Sequence, residues 1–138
     1  MVRGDRKMKR LLFIFNPHAG KAQIKNKLLQ IVDIMVKNGY EVVIYPTQAR
    51  EDAFRMVKER AEEFDLIVCS GGDGTLDEAV SGMVLSGAKV PLGYIPAGST
   101  NDFANSLNIP KDMAQAAEIA VSGQKFSCDV GLFNEEPF

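Results

Sequence analysis

Several residues in this chain have types and spacing suited to phosphate chemistry, and the densest group is Gly71-Gly72-Asp73-Gly74-Thr75. Three glycines in four residues leave the backbone without Cβ atoms, so it can take positive φ and approach a ligand closely. The N–H groups of such a turn, backed by a helix N-terminus, make an anion site whose usual guest is phosphate. A carboxylate in the middle of that turn is repelled by phosphate unless a cation lies between them. Asp73 therefore points to Mg²⁺, held directly or through water. The competing reading is a tight strand–helix turn in which Asp73 only caps the helix. The turn is neither a Walker A loop, which ends in Gly-Lys-Ser/Thr, nor a GxGxxG fingerprint.

Two further stretches share this character. Asn16-Pro17-His18-Ala19-Gly20 and Pro96-Ala97-Gly98-Ser99-Thr100-Asn101-Asp102 are rich in small, polar and turn-forming residues, and Thr47 marks a plainer break. Ser99, Thr100 and Asn101 offer short side chains for phosphate oxygens or ribose. Asp73 and Asp102 could hold Mg²⁺ or bond to backbone. Asn16 could pin Asp73 or the neighbouring loop, or simply form its own turn, and Asp102 could be an N-cap. Lys21 could neutralise phosphate, although a solvated role fits it as well. Phosphoryl transfer needs positioning and charge neutralisation, and it profits from a base. No convincing base is evident, since Asp77 and Glu78 lie near the glycine turn without an evident partner.

The elements around these loops alternate. Lys9 to Phe15, Glu41 to Tyr45, Leu66 to Cys69 and Leu92 to Ile95 are apolar runs expected of strands buried in a parallel sheet. Helices are expected from Lys21 to Lys37 (stripe Ile24, Leu28, Ile31, Met35), from Arg50 to Glu63 (Phe54, Val57, Ala61, Phe64), and from the glycine turn to Ser86. Asn38-Gly39 and Gly87 are expected to close the first and third of these. A short helical piece from Phe103 to Leu107, a helix from Asp112 to Val121 opened by a capping-box-like Asp112 and Gln115, and a strand from Phe126 to Phe133 complete the order. This βαβα alternation implies an α/β fold, a three-layer, Rossmann-like, mostly parallel sheet with helices on both faces. In such a sheet the strand-end loops converge on one crevice, the geometry a nucleotide site needs.

Composition sets the outer bounds. The 138 residues allow one ordinary domain, and 46% apolar with 25% charged residues is typical of a globular protein. The formal charge of -2 hides an asymmetry, because residues 1–10 hold five basic residues against one acid. The acidic remainder argues against nucleic acid as a partner. The basic start reads as a disordered tail over residues 1–8, with contact to an anionic membrane surface as the alternative. Cys69 and Cys128 read as buried hydrophobes rather than a disulfide or metal framework, and the single His18 cannot anchor a metal cluster. The apolar run from Leu11 to Phe15 is too short for a signal peptide, so the chain reads as cytoplasmic.

Taken together, Phe15-Asn16-Pro17 with Gly20, then Gly71-Gly72-Asp73-Gly74-Thr75-Leu76, then Ile95-Pro96 with Gly98 and Asn101-Asp102-Phe103-Ala104, resemble the catalytic domain of the diacylglycerol kinase family, in its soluble bacterial branch. Asp129-Val130-Gly131 is similar to that family's approach to its second domain. The likeness covers nearly the whole chain from residue 9 onward. The glycine turn alone is shared with NAD kinases, sphingosine kinases and phosphofructokinases; the Pro-x-Gly…Asn-Asp stretch separates this chain from NAD kinases.

The resemblance implies ATP bound between two domains, with Gly71, Gly72, Asp73, Gly74, Thr75, Leu76 and Asp77 at its phosphates and Asn16 beside them. It implies nucleotide contacts from Thr47 and from the Gly98-Ser99-Thr100 region running into Asn101 and Asp102. Mg²⁺ at Asp73 assists, and a lipid hydroxyl such as that of diacylglycerol accepts the γ-phosphate. The family usually carries Gly-Thr where Gly98-Ser99 stands, which leaves open whether Ser99 or Thr100 touches ATP. Family members are about twice this length. The expected division is therefore a nucleotide domain over residues 9–125 and the start of a second, β-rich domain over residues 126–138. The base, part of the metal site and the lipid pocket would lie in that second domain. A lipid kinase working peripherally at a membrane, with a homodimer left open, is the first expectation. An NAD or other small-molecule kinase, or a nucleotide-binding regulatory module, are the alternatives. By itself the 138-residue piece is expected to phosphorylate no lipid.

Overall fold

The structure is a computed structural model that describes residues 8–19, 24–97 and 112–122. The two most apolar runs form its centre. Strand β1 (Lys9–Phe15) is buried from Leu11 to Phe15, and β3 (Leu66–Gly71) is buried throughout. Sequestering each such large apolar side chain stabilises the fold by about 1.5–3 kcal/mol. On one side of this pair lies β2 (Tyr40–Pro46), on the other β4 (Leu92–Pro96), giving the order β2-β1-β3-β4. All three pairings are parallel, with Phe13 opposite both Ile44 and Val68, and Cys69 opposite Tyr94. β2 is an edge strand of the described sheet, which is why its residues are only partly covered.

Among the described residues four α-helices cover the sheet: α1 (Ile24–Lys37), α2 (Asp52–Arg60), α3 (Asp73–Ser86) and α4 (Met113–Val121). The crossover β1-α1-β2 moves one way along the sheet and β3-α3-β4 the other. Right-handed crossovers then put α1 and α3 on opposite faces. α1 packs against α4, and α2 against α3, so each face carries one helix pair. This is the three-layer α/β architecture read from the sequence.

Two glycines make the layers fit. A Cβ on Gly82 of α3 would lie 2.7 Å from the Phe54 carbonyl oxygen of α2, and one on Gly93 of β4 would lie 2.9 Å from the Ala120 Cβ of α4. Close approach, not backbone freedom, demands glycine at both.

Most boundaries follow the expected punctuation. Gly39 (φ 94) and Gly87 (φ 72) are left-handed and end α1 and α3. Asp112 caps α4 by accepting the Gln115 N–H at 3.1 Å. The second helix differs from the expected Arg50 start and Glu63 end. Its α-helical part begins at Asp52, and Ala61–Glu63 is a 3-10 turn. Arg50 and Glu51 are excluded because Glu51 takes a left-handed φ of 71. The third strand extends past Cys69 to Gly71. Residues 1–7 of the tail expected over residues 1–8, the helical piece from Phe103 to Leu107, Cys128 and the strand from Phe126 to Phe133 lie outside the described residues.

Candidate active site

The chain leaves β1 and β3 in opposite directions, so a crevice opens at their carboxyl ends, where doubly wound sheets bind ligands. Backbone bonds tie the strand ends together there. The Asn16 N–H donates to the Ser70 carbonyl at 3.0 Å, the Thr47 N–H to Phe15 at 2.8 Å, and the Ala97 N–H to Gly71 at 3.1 Å. The Tyr94 hydroxyl adds a buried bond to the Gly71 carbonyl at 2.8 Å.

The glycine turn is tighter than its sequence suggests. β3 runs through Gly71, α3 begins at Asp73, and Gly72 alone joins them. Gly72 sits at the cap position with φ -86 and ψ -169, and none of the three glycines takes positive φ. The expected use of backbone freedom is thus corrected: close approach and open space explain the glycines. A Cβ on Gly71 would meet Thr75 Oγ1 at 2.6 Å, because Thr75 folds back over it. A Cβ on Gly72 or Gly74 would meet nothing within 4 Å, so the backbone there is bare to its surroundings.

Gly72 offers no side chain to cap α3. The helix's first bond runs from the Leu76 N–H to the Gly72 carbonyl at 3.2 Å. The N–H groups of Asp73, Gly74 and Thr75 therefore have no partner within the helix. Asp73 is exposed in the first turn. It is not the cap, which disposes of the competing reading for that residue.

A cleft of about 360 Å³ lies over this turn, lined by Asn16, His18, Thr47, Gln48, Ala49, Arg50, Gly74, Thr75 and Glu78. Three separate chain segments meet in it. Asn16 shapes the first by accepting the His18 N–H on its Oδ1 at 2.9 Å, the turn-forming role left open by the sequence. The second, Thr47 to Arg50, is shaped by a buried acid. Asp52 Oδ2 accepts from the Gln48 N–H at 2.6 Å, the Ala49 N–H at 3.2 Å and the Tyr45 hydroxyl at 3.3 Å, while its Oδ1 is paired with Arg55. The Gln48 N–H, helped by Tyr45, Arg55 and the Ala49 N–H, holds the Asp52 pKa below the ordinary aspartate range. Burial pushes the Tyr45 pKa up, and the Asp52 charge adds to it. The third segment is the start of α3, where Glu78 Oε2 accepts the Glu51 N–H at 3.1 Å. Glu78 thus has the partner that the sequence did not reveal.

Of the residues singled out from sequence, Asn16, Thr47, Gly74 and Thr75 line the cleft. Gly71, Gly72 and Asp73 form the turn beneath it, whereas Leu76 is buried in the core and Asp77 is exposed off the cleft wall. Lys21, Gly98, Ser99, Thr100, Asn101 and Asp102 lie outside the described residues. Sequence reasoning did not single out Gln48, Ala49, Arg50 and Asp52. The available signal was an acid four residues after the Gln48 break, at the head of an amphipathic helix. Among the described residues no three His, Cys, Asp or Glu side chains gather as a metal cluster. Cys69 is a free, buried thiol whose pKa burial raises to about 12, in keeping with a hydrophobic role.

The profile of the family described as "Diacylglycerol kinase catalytic domain" matches residues 10–133. The chain belongs to that family. It is 40% identical over 133 residues to the diacylglycerol kinase of Bacillus subtilis (strain 168), an alignment covering 95% of this chain and 44% of that protein. It is 38% identical over 132 residues to the diacylglycerol kinase of Staphylococcus aureus (strain MRSA252), covering 94% and 42%. Its fold superposes on the crystal structure of a diacylglycerol kinase from Bacillus anthracis str. Sterne with a TM-score of 0.75 and 32% identity, covering 86% of this chain and 45% of that one. The chain therefore spans less than half the length of these relatives, and the diacylglycerol kinase fold over that span is its own.

Proposed function

We propose that this chain is the nucleotide-binding domain of an ATP-dependent lipid kinase that transfers the γ-phosphoryl group to a hydroxyl such as that of diacylglycerol. The observation that carries the reading is the uncapped first turn of α3 under the cleft. Three backbone N–H groups without helical partners, at the positive end of a 14-residue helix, suit phosphate oxygens. The buried Ser70 hydroxyl at the end of β3, which finds no partner among the described residues, marks the same edge as polar and unfinished.

Mg²⁺ fits this donor set. The ion commonly takes one or two carboxylates and fills its sphere with phosphate oxygens and water, so a lone exposed Asp73 is sufficient protein ligation on this side. When bound, it would neutralise the developing charge on the transferring phosphoryl group. The residues of this chain then have distinct tasks. The turn from Gly72 to Thr75 binds phosphate, Asp73 holds the ion, and the wall from Thr47 to Arg50 sets the position of the rest of the nucleotide. Arg50 brings a permanent positive charge to that wall. Ser99 or Thr100 and Asn101 to Asp102 add contacts from the fourth strand end. The base is proposed to come from the second, β-rich domain that the family resemblance implies.

The acceptor is a lipid, met at a membrane surface. No helix among the described residues is long and apolar enough to cross a bilayer, so peripheral contact is the mode proposed. The test is the intact protein incubated with ATP, Mg²⁺ and diacylglycerol in mixed micelles. Phosphatidic acid is the expected product, and no phosphorylation of any lipid hydroxyl would overturn the assignment.

A further inference from the structure

We propose that Asp52 and Glu78 are positioning residues, whose carboxylates hold the segment from Thr47 to Glu51 in its binding shape before any nucleotide arrives. The inference rests on the nucleotide reading above but concerns residues outside the expected site. Asp52 does not line the cleft, yet it is only 5% exposed and bonded on both oxygens. An ordinary capping acid reaches forward to N–H groups inside its helix. Asp52 reaches backward instead, to the N–H groups of Gln48 and Ala49, two residues of the cleft wall. At the other end of the segment Glu51 is turned left-handed, and its N–H is directed onto Glu78 of α3. The segment is therefore clamped from two helices. The carboxylates take three of its backbone donors, those of Gln48, Ala49 and Glu51, and the Phe15 carbonyl takes that of Thr47.

A preformed wall lowers the ordering cost of binding. A purely structural role for the same acids would lower thermal stability and leave the affinity of the folded protein unchanged. The experiment separates these on the intact protein at pH 7. Calorimetric Kd for Mg·ADP is measured with thermal midpoint and amide hydrogen exchange for the wild type, Asp52→Asn and Tyr45→Phe. Asp52→Asn keeps the shape but can no longer accept on both oxygens. It is expected to weaken Mg·ADP roughly ten- to a hundredfold, by analogy with removing a group that orients the ligands of a metal ion. Exchange at Gln48 and Ala49 should accelerate while the β1 and β3 amides stay protected. Tyr45→Phe removes only the longest bond to the same carboxylate, and its Kd should stay within about threefold.

Wild-type affinity in folded Asp52→Asn overturns the proposal, and so does equal weakening by Tyr45→Phe. If Asp52→Asn does not fold, Glu78→Ala, which frees the Glu51 N–H, must show weakened binding and faster exchange at Glu51. Unchanged binding there overturns the proposal too. A wild type that does not bind Mg·ADP refutes the nucleotide reading instead. Hydrogen exchange then decides the clamp alone, with unaltered protection in Asp52→Asn refuting it and lost protection supporting it.

Discussion

Helices α2 and α3 both begin at the same cleft, and their N-termini are finished in opposite ways. At α2 the chain supplies its own anions. Glu51 takes the cap position in a left-handed turn, Asp52 accepts the N–H groups of Gln48 and Ala49, and Glu78 accepts that of Glu51. At α3 the chain supplies none. Gly72 takes the cap position with no side chain, and Asp73 stays exposed rather than folding back onto the turn. A helix N-terminus attracts negative charge by its unpaired N–H groups and its dipole. At α2 carboxylates take the donors that lead into the helix, Gln48, Ala49 and the cap residue Glu51, and that backbone becomes a rigid wall. At α3 the cap is bare, and the first-turn N–H groups stay open to a mobile anion. In the reading proposed above, the cleft thus has a part that shapes and a part that grips.

The most damaging change to that division is at Asp73. In the intact protein, Asp73→Asn is expected to lower kcat for lipid phosphorylation roughly a hundredfold or more, the scale of losing a charge-stabilising group at a reacting centre. Its stability should fall only by the roughly 0.3–1 kcal/mol that a first-turn carboxylate gains from the helix dipole, because Asp73 is exposed and makes no hydrogen bond or ion pair to another described residue. Near-wild-type turnover would remove Asp73 from the mechanism. Gly72→Asp goes further in concept and less far in effect, since it gives α3 a resident carboxylate at its cap. The backbone at φ -86 suits any residue, and the new Cβ meets nothing within 4 Å. A capping carboxylate should stabilise the helix by a few tenths of a kcal/mol, about the advantage of Asp over Gly at a cap. It should also raise the Mg·ADP Kd about tenfold by occupying the anion site. Stability by denaturant titration and Kd by calorimetry must move in opposite directions; tighter binding would end the contrast between the two helices.

The glycine turn proposed to grip phosphate was legible in the sequence as a structural feature, and the shaping half was not. Gly71 to Thr75 stood out because glycine clusters between an apolar run and a helical stripe are rare, and the apolar runs of β1 and β3 announced a parallel sheet by burial alone. Gly39, Gly87 and Asp112 marked helix ends through local chemistry that acts within a few residues. What failed to show were effects set by distant partners. Arg50 and Glu51 carry good helix propensity, but the bond from the Glu51 N–H to Glu78 of another helix, with the local bonds of Asp52 to Gln48 and Ala49 before them, holds them outside the helix. Glu78 lies 27 residues from Glu51, and no spacing rule links them. Gly71 was legible as glycine but not for its reason, which is the return of the Thr75 side chain onto it.

Strong acid should weaken the shaping half. The folded-state pKa of Asp52 is depressed, chiefly by the Gln48 N–H, so its ionised form stabilises the native state. That contribution is fully present above the ordinary aspartate pKa, near pH 4, and is lost as pH falls through the lower folded value. Glu63, held down by Arg60, acts in the same sense. The stability gap between wild type and Asp52→Asn should therefore be constant from pH 7 to about 5, then narrow as the pH falls below about 4. Urea titrations at stepped pH would test this. A gap that closes between pH 7 and 5 would mean that Asp52 is not held below the ordinary range.

The smallest expected effect is at Glu51, and it isolates the backbone from the charge. Glu51 is the one non-glycine residue with positive φ among those described, and its side chain makes no capping bond. Glycine adopts that conformation without strain and keeps the N–H that Glu78 accepts. Glu51→Gly should therefore stabilise the protein by up to about 1 kcal/mol, since relief of roughly 1–2 kcal/mol of left-handed strain is partly offset by about 0.5–1 kcal/mol of glycine's extra unfolded-state entropy, and it should leave the Mg·ADP Kd unchanged. Glu51 also stands next to Asp52 and bonds to Glu78, so relief of like-charge repulsion would stabilise as well. Glu51→Gln separates the causes, because it removes the charge and keeps the left-handed strain. If glycine stabilises and glutamine does not, the turn is held against its intrinsic preference by the two carboxylates. If both stabilise equally, the acids crowd one another and the left-handed turn costs little.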